Sequence, residues 1–95
     1  MVIWTKPAKE DLNQIHDFIS TDSKLYAGKV IEDVILRTQQ IDKFPLSGRI
    51  VPEIQNENIR EIFIYSYRLM YEFSGNDVYI LTIVHGSRDF EELLK

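Results

Sequence analysis

The sequence contains no cysteine. Disulfides, cysteine-ligated zinc and thiol nucleophiles are therefore excluded, and the composition is compatible with a reducing compartment. No apolar run approaches the roughly 18 residues that a membrane-spanning helix needs, and the first residues lack the basic-then-apolar arrangement of a secretory signal. A cytoplasmic chain that starts at Met1 is the expectation. Positive charge is scarce: 11 Lys and Arg stand against 15 Asp and Glu, a net charge of −4, and no lysine occurs from position 44 to position 94. Non-specific grip on nucleic acid draws most of its affinity from a basic field, so it is not expected here, and neither is direct specific DNA binding. Nothing in the sequence calls for a metal or another cofactor.

What is present suffices for one domain. A chain of 95 residues that is 44% hydrophobic and 12% aromatic can build a modest single core. There is no internal repeat and no low-complexity tract, so residues 1–95 are read as one unit.

Val2–Thr5 is short, alternating and β-prone. Thr5 before Lys6-Pro7 marks a helix start, because proline is tolerated in the first turn, where its missing N–H would be unpaired anyway. Ala8, Leu12, Ile15 and Ile19 recur at helical spacing, and this first helix ends near Ser20. Thr21-Asp22-Ser23 offers side-chain oxygens to the free N–H groups of a second helix. Its stripe of Ala27, Val30, Ile31, Val34, Thr38 and Ile41 runs to Phe44-Pro45, where proline disfavours helical geometry in the residue before it. The short link predicts an antiparallel helical hairpin.

Positions 45–59 read as an irregular connection with a short strand around Ile50-Val51. Ile59–Tyr65 is apolar on both faces apart from Arg60 and Glu61, which suits a central strand covered on two sides. Tyr67–Phe73 and Val78–His85 alternate with period two around Ser74-Gly75-Asn76-Asp77 and predict a β-hairpin. Simple alternation places Tyr67, Leu69, Tyr71 and Phe73 beside Val78, Ile80, Thr82 and Val84 on the core face. It places Arg68, Met70 and Glu72 beside Tyr79, Leu81, Ile83 and His85 on the other, a mixed surface suited to cover by another chain. Phe90–Lys95 is read as one helical turn or a frayed tail. The expected fold is α+β: an N-terminal strand and a helical hairpin packed on one face of a small, mainly antiparallel sheet.

The ordered series Phe44-Pro45 with Gly48-Arg49, Ile59-Arg60-Glu61, Tyr67-Arg68-Leu69-Met70-Tyr71 and His85-Gly86 with Arg88-Asp89 resembles the RelE/ParE superfamily of bacterial toxins, over essentially the whole chain. The resemblance implies the toxin half of a type II toxin–antitoxin pair, a growth inhibitor and plasmid stabiliser neutralised by a cognate antitoxin that wraps it. Two mechanisms diverge within the superfamily. ParE-like members poison DNA gyrase without known hydrolytic chemistry, and RelE-like members are endonucleases that cleave mRNA in the ribosome.

Metal-free RNA cleavage needs an acid or base and cations at the phosphate. His85, Arg68 and Arg60 are the catalytic candidates on that reading, with Glu53 or Glu72 able to orient or replace the base. On the binding reading, Arg68, Glu72, Tyr79 and Arg88 are the contacts for target or antitoxin. More ordinary roles compete with each: a satisfied strand-end imidazole for His85, an exposed Arg68–Glu72 pair four residues apart, a local Arg88–Asp89 pair, and a structural pairing of Arg60 with the 45–52 loop. His16 is expected on the surface. The lack of lysine from position 44 to position 94 and the acidic tail favour the ParE-like branch, with the mRNA endonuclease, or a member that has lost its toxicity, as alternatives.

Overall fold

A computed structural model of the chain describes residues 1–86. The reading of Phe90–Lys95 and the candidate Arg88 therefore lie outside the described residues. The elements run β1 (Val2–Trp4), α1 (Lys6–Ser20), α2 (Lys24–Lys43), β2 (Arg49–Ile50), β3 (Ile59–Ile64), β4 (Tyr67–Ser74) and β5 (Asp77–His85). They build one sheet in the order β1-β5-β4-β3-β2, with β1 parallel to β5 and every other pair antiparallel. Both helices pack on one face, which is the α+β arrangement that the alternation and the caps predict.

The helix starts lie where the capping residues placed them. The Thr5 hydroxyl oxygen accepts from the Ala8 amide at 3.4 Å and donates to the Ile80 carbonyl at 2.7 Å, so one side chain caps α1 and ties it to β5. Ser23 caps α2 by accepting from the Tyr26 amide at 3.1 Å. The core between helices and sheet joins Ala8, Ile15, Val30, Val34 and Ile41 to Ile62, Ile64, Leu69, Tyr71, Val78, Ile80 and Ile83.

Two expectations need correction. First, the β4–β5 ladder pairs Met70 with Thr82 but Tyr71 with Ile80, so Leu81 is an extra residue in a β-bulge. One unpaired residue exchanges the faces of everything after it in a period-two strand. Ile83 and His85 therefore share the helix-side face with Leu69 and Tyr67, while Val84 joins Met70 and Val51 in a small cluster on the opposite face. The bulge falls where β1 ends. There the Thr5 hydroxyl also donates to the Leu81 carbonyl, at 3.2 Å, and the Asp11 carboxylate accepts from the Ile83 amide at 3.0 Å and the Thr82 hydroxyl at 2.7 Å. Asp11 of α1 and the capping Thr5 thus satisfy the β5 edge that β1 is too short to cover.

Second, β3 is not central. It lies next to the edge, bordered by the two-residue β2, and β4 occupies the middle. Phe63 is accordingly 48% exposed rather than covered.

The link from α2 to β2 is fastened by a buried tyrosine. The Tyr71 hydroxyl donates to the Pro45 carbonyl at 2.7 Å and accepts from the Gly48 amide at 3.0 Å. A Cβ on Gly48 would stand 2.6 Å from that hydroxyl oxygen and 2.7 Å from the Glu61 carbonyl oxygen. Replacing Gly48 with alanine is expected to destabilise the fold by about 1–3 kcal/mol. Gly28, in the second turn of α2, has open space around it, and Gly28→Ala is expected to stabilise by up to about 1 kcal/mol. Denaturant midpoints of the two variants check both signs.

Candidate functional site

The face of the sheet away from the helices carries a buried charge cluster. Alternation along β3 sends Glu61 and Phe63 to this face, and the β3–β4 register sets Met70 opposite Glu61 and Arg68 opposite Phe63. Arg68 is only 6% exposed and Glu61 only 1%. The Arg68 guanidinium donates through Nε to Glu61 Oε1 at 3.0 Å and through Nη2 to the same oxygen. It also donates through Nη1 and Nη2 to the two oxygens of Glu53 at 3.1 and 3.2 Å, a bidentate fork. Arg49 reaches over from β2 to donate to the second Glu61 oxygen. Both guanidiniums border the Phe63 ring, Arg49 at 5.2 Å and Arg68 at 6.0 Å from its centroid. Two arginines and two glutamates cancel, which makes burial of the group tolerable.

This arrangement replaces the expected Arg68–Glu72 pair. Glu72 is half-buried, with Ile59 on one side and Tyr79 on the other, and Arg68 is paired with Glu61 and Glu53. Glu61 was legible only as a charge inside an apolar strand. Its partners come from β2 and β4, and the second glutamate from the 51–58 segment, which no local spacing connects.

Arg60 alternates to the helix-side face with Ile62 and Ile64. It donates to the carbonyls of Glu57 at 2.9 Å, Leu46 at 3.2 Å and Gly48 at 3.0 Å, and so braces the segments on either side of β2. His85 is exposed at the end of β5, edge-on to Tyr67 with centroids 5.8 Å apart. Arg60 sits across from Tyr71, and His85 across from Tyr67. Four residues of strand, about 13 Å, separate the two positions along the sheet. Arg68 faces the other side. The three catalytic candidates are thus not brought together. Tyr79 is half-buried beside Glu72, and His16 is on the surface as expected.

A cleft runs between α2 and β3. One part, of about 430 Å³, is lined by Asp33, Leu36, Arg37, Gln40, Phe63, Ile64 and Tyr65. A second, of about 530 Å³, shares Arg37 and Gln40 and extends to Lys43, Phe44, Ser47 and Ile62. Leu36, Phe44 and Phe63 are about half exposed or more along it. One end is closed by Tyr65, whose backbone has φ +54°, uncommon outside glycine. Its hydroxyl donates to Asp33, and that hydrogen bond pushes the Tyr65 pKa up to about 12 while holding the Asp33 carboxyl below its ordinary value.

Among the described residues no group of His, Cys, Asp or Glu could hold a metal ion, and no helix is long and apolar enough to cross a membrane.

Two helices on one face of this five-stranded sheet define a small α+β domain of the kind found in toxin–antitoxin modules. A solved structure described as the chromosomal ParDE TA system from P. aeruginosa is similar, with a TM-score of 0.73 at 20% sequence identity, over 88% of this chain and 92% of that one. The family model described as ParE toxin of type II toxin-antitoxin system, parDE, matches residues 2–90, and the chain belongs to that family. No curated protein matches the sequence.

The cluster has a pH signature. The Arg68 hydrogen bonds, reinforced by the field of Arg68 and Arg49, hold the Glu53 carboxyl below its ordinary value against the opposing effect of burial. A carboxyl depressed in the folded state stabilises the fold fully above its unfolded value and loses that contribution as pH falls through the folded one. Wild-type stability is expected to drop on acidification through that window, and Glu53→Gln to flatten this part of the curve. Urea midpoints measured from neutral to acidic pH test this.

Proposed function

We propose that this chain stops growth by binding an essential protein, DNA gyrase, in the cytoplasm, and that a cognate antitoxin neutralises it. One observation carries this reading: the two arginines that phosphate chemistry would need are already engaged. Arg68 is neutralised by Glu53 and Glu61, and Arg60 is bonded to three backbone carbonyls on the opposite face. Cations so placed support a binding surface better than a centre for cleaving RNA. Membership of the ParE toxin family, together with the likeness to a structure of a ParDE system, supports an antitoxin partner.

The antitoxin takes the α2–β3 cleft, where apolar Leu36, Phe44 and Phe63 stand exposed beside the cations Arg37 and Lys43. Such a groove suits an amphipathic segment with acidic flanks. Glu72 and Tyr79 serve as contacts on the other face; Arg88, outside the described residues, is kept as a contact from its place in the sequence alone. The mRNA endonuclease reading draws on the exposed His85, and it is the reading to which growth assays would revert.

Purified chain in excess is expected to inhibit supercoiling by gyrase, and its induction in cells is expected to stop thymidine incorporation before methionine incorporation. Normal supercoiling, with protein synthesis collapsing first and His85→Ala abolishing toxicity, would move the function to the ribosome.

A further inference from the structure

Ala27, Val30, Val34 and Ile41 turn one face of α2 into the core. On the far side Leu25, Gly28, Glu32, Ile35 and Gln39 recur at alternating steps of three and four residues, the spacing with which one helix packs along another. Leu25 is 88% exposed and Ile35 41%, so the apolar members of this row reach solvent. After proline, glycine is the least favourable residue inside a helix. Nothing within the protein requires one at position 28, where an added Cβ would have no neighbour within 4 Å. With Lys24, Leu25, Lys29 and Glu32, Gly28 lines a concavity of about 710 Å³ on the outside of the helix. A missing side chain at such a place lets another chain approach the backbone closely.

We propose that this face of α2 binds the same face of a second copy of the chain, the two helices running antiparallel. In the register that sets Leu25 opposite the second copy's Ile35, Gly28 falls opposite its Glu32. That carboxylate enters the notch at Gly28 between Lys24 and Lys29, and the two-fold axis repeats the arrangement, so two apolar layers flank two charge-matched ones. Lys29 is also 3.5 Å from Asp33 on its own helix, which makes Lys24 the principal partner. Other arrangements lose the match. Parallel helices would set Glu32 against Glu32, and a slide of one heptad would set Leu25 opposite Asp42, or Glu32 opposite Thr21. Asp33, Arg37 and Gln40 lie on another flank of α2, so the dimer leaves the cleft against β3 open and does not depend on the antitoxin or gyrase readings.

Sedimentation equilibrium of the whole chain, from low to high micromolar concentration, tests this. The wild type is expected to show a monomer–dimer equilibrium. Glu32→Lys, which gathers three cations at each notch, is expected to weaken the dimer about tenfold or more, and the double variant Lys24→Glu with Glu32→Lys to recover most of that loss. Both positions are exposed, so urea midpoints at the lowest concentration are expected to stay near the wild-type value, which separates loss of the dimer from loss of the fold. Leu25→Gln removes an apolar layer without altering charge, and it carries the comparison if a charge variant does not fold. A wild-type chain that stays monomeric throughout, a double variant that associates no better than Glu32→Lys, or unchanged association in Leu25→Gln would overturn the proposal.

Discussion

Glu61 stands in β3 with its carboxylate shut away from solvent between the guanidiniums of Arg49 and Arg68. An unpaired carboxylate there would be strongly destabilising, so the position can exist only if β2, β3 and β4 meet in one register. Arg49 must come across from β2 and Arg68 from β4. The Gly48 turn must deliver Arg49, and Tyr71 must fasten that turn through Pro45 and Gly48. The arginine brace at Arg60 holds the same segment from the helix side. Much of the less regular half of the molecule is thus organised around one buried charge.

The other half is organised around an edge. β1 is only three residues long, and the β5 ladder would present unsatisfied groups beyond it. Asp11 of α1 and Thr5, its cap, meet that demand, and the bulge at Leu81 lies at the transition. This single extra residue turns Ile83 into the helix-side core and Val84 to the opposite face. A surface that alternation described as mixed becomes a closed apolar core on one side and a charge cluster on the other.

Electrostatic commitment, more than the amount of positive charge, separates the functional readings. A chain with few cations can still cleave a phosphodiester if they converge. Here Arg60 and Arg68 point to opposite faces and are bonded to the protein itself, and His85 sits at a distant strand end. Among the described residues, the cleft of α2 and β3 presents exposed aromatic and aliphatic groups flanked by cations.

Local chemistry made much of this legible in the sequence. The hydroxyls at Thr5 and Ser23 satisfy free amides within three residues, Pro45 stops α2 by sterics with its immediate neighbour, and Gly75 supplies the positive φ of the last hairpin turn. These interactions span a few residues, so residue type and spacing determine them. The pairing of Arg68 with Glu53 and Glu61 was not legible, because it joins positions 15 and 7 residues away whose proximity exists only once the sheet has its register. The exchanged faces of residues 82–85 were hidden for the same reason: a bulge is set by what borders a strand, which the strand's own alternation does not record. The sequence by itself determined the elements and the family pattern, and the tertiary structure decided which charges are spent inside the protein and which stay exposed, because pairing across strands exists only once the sheet has its register.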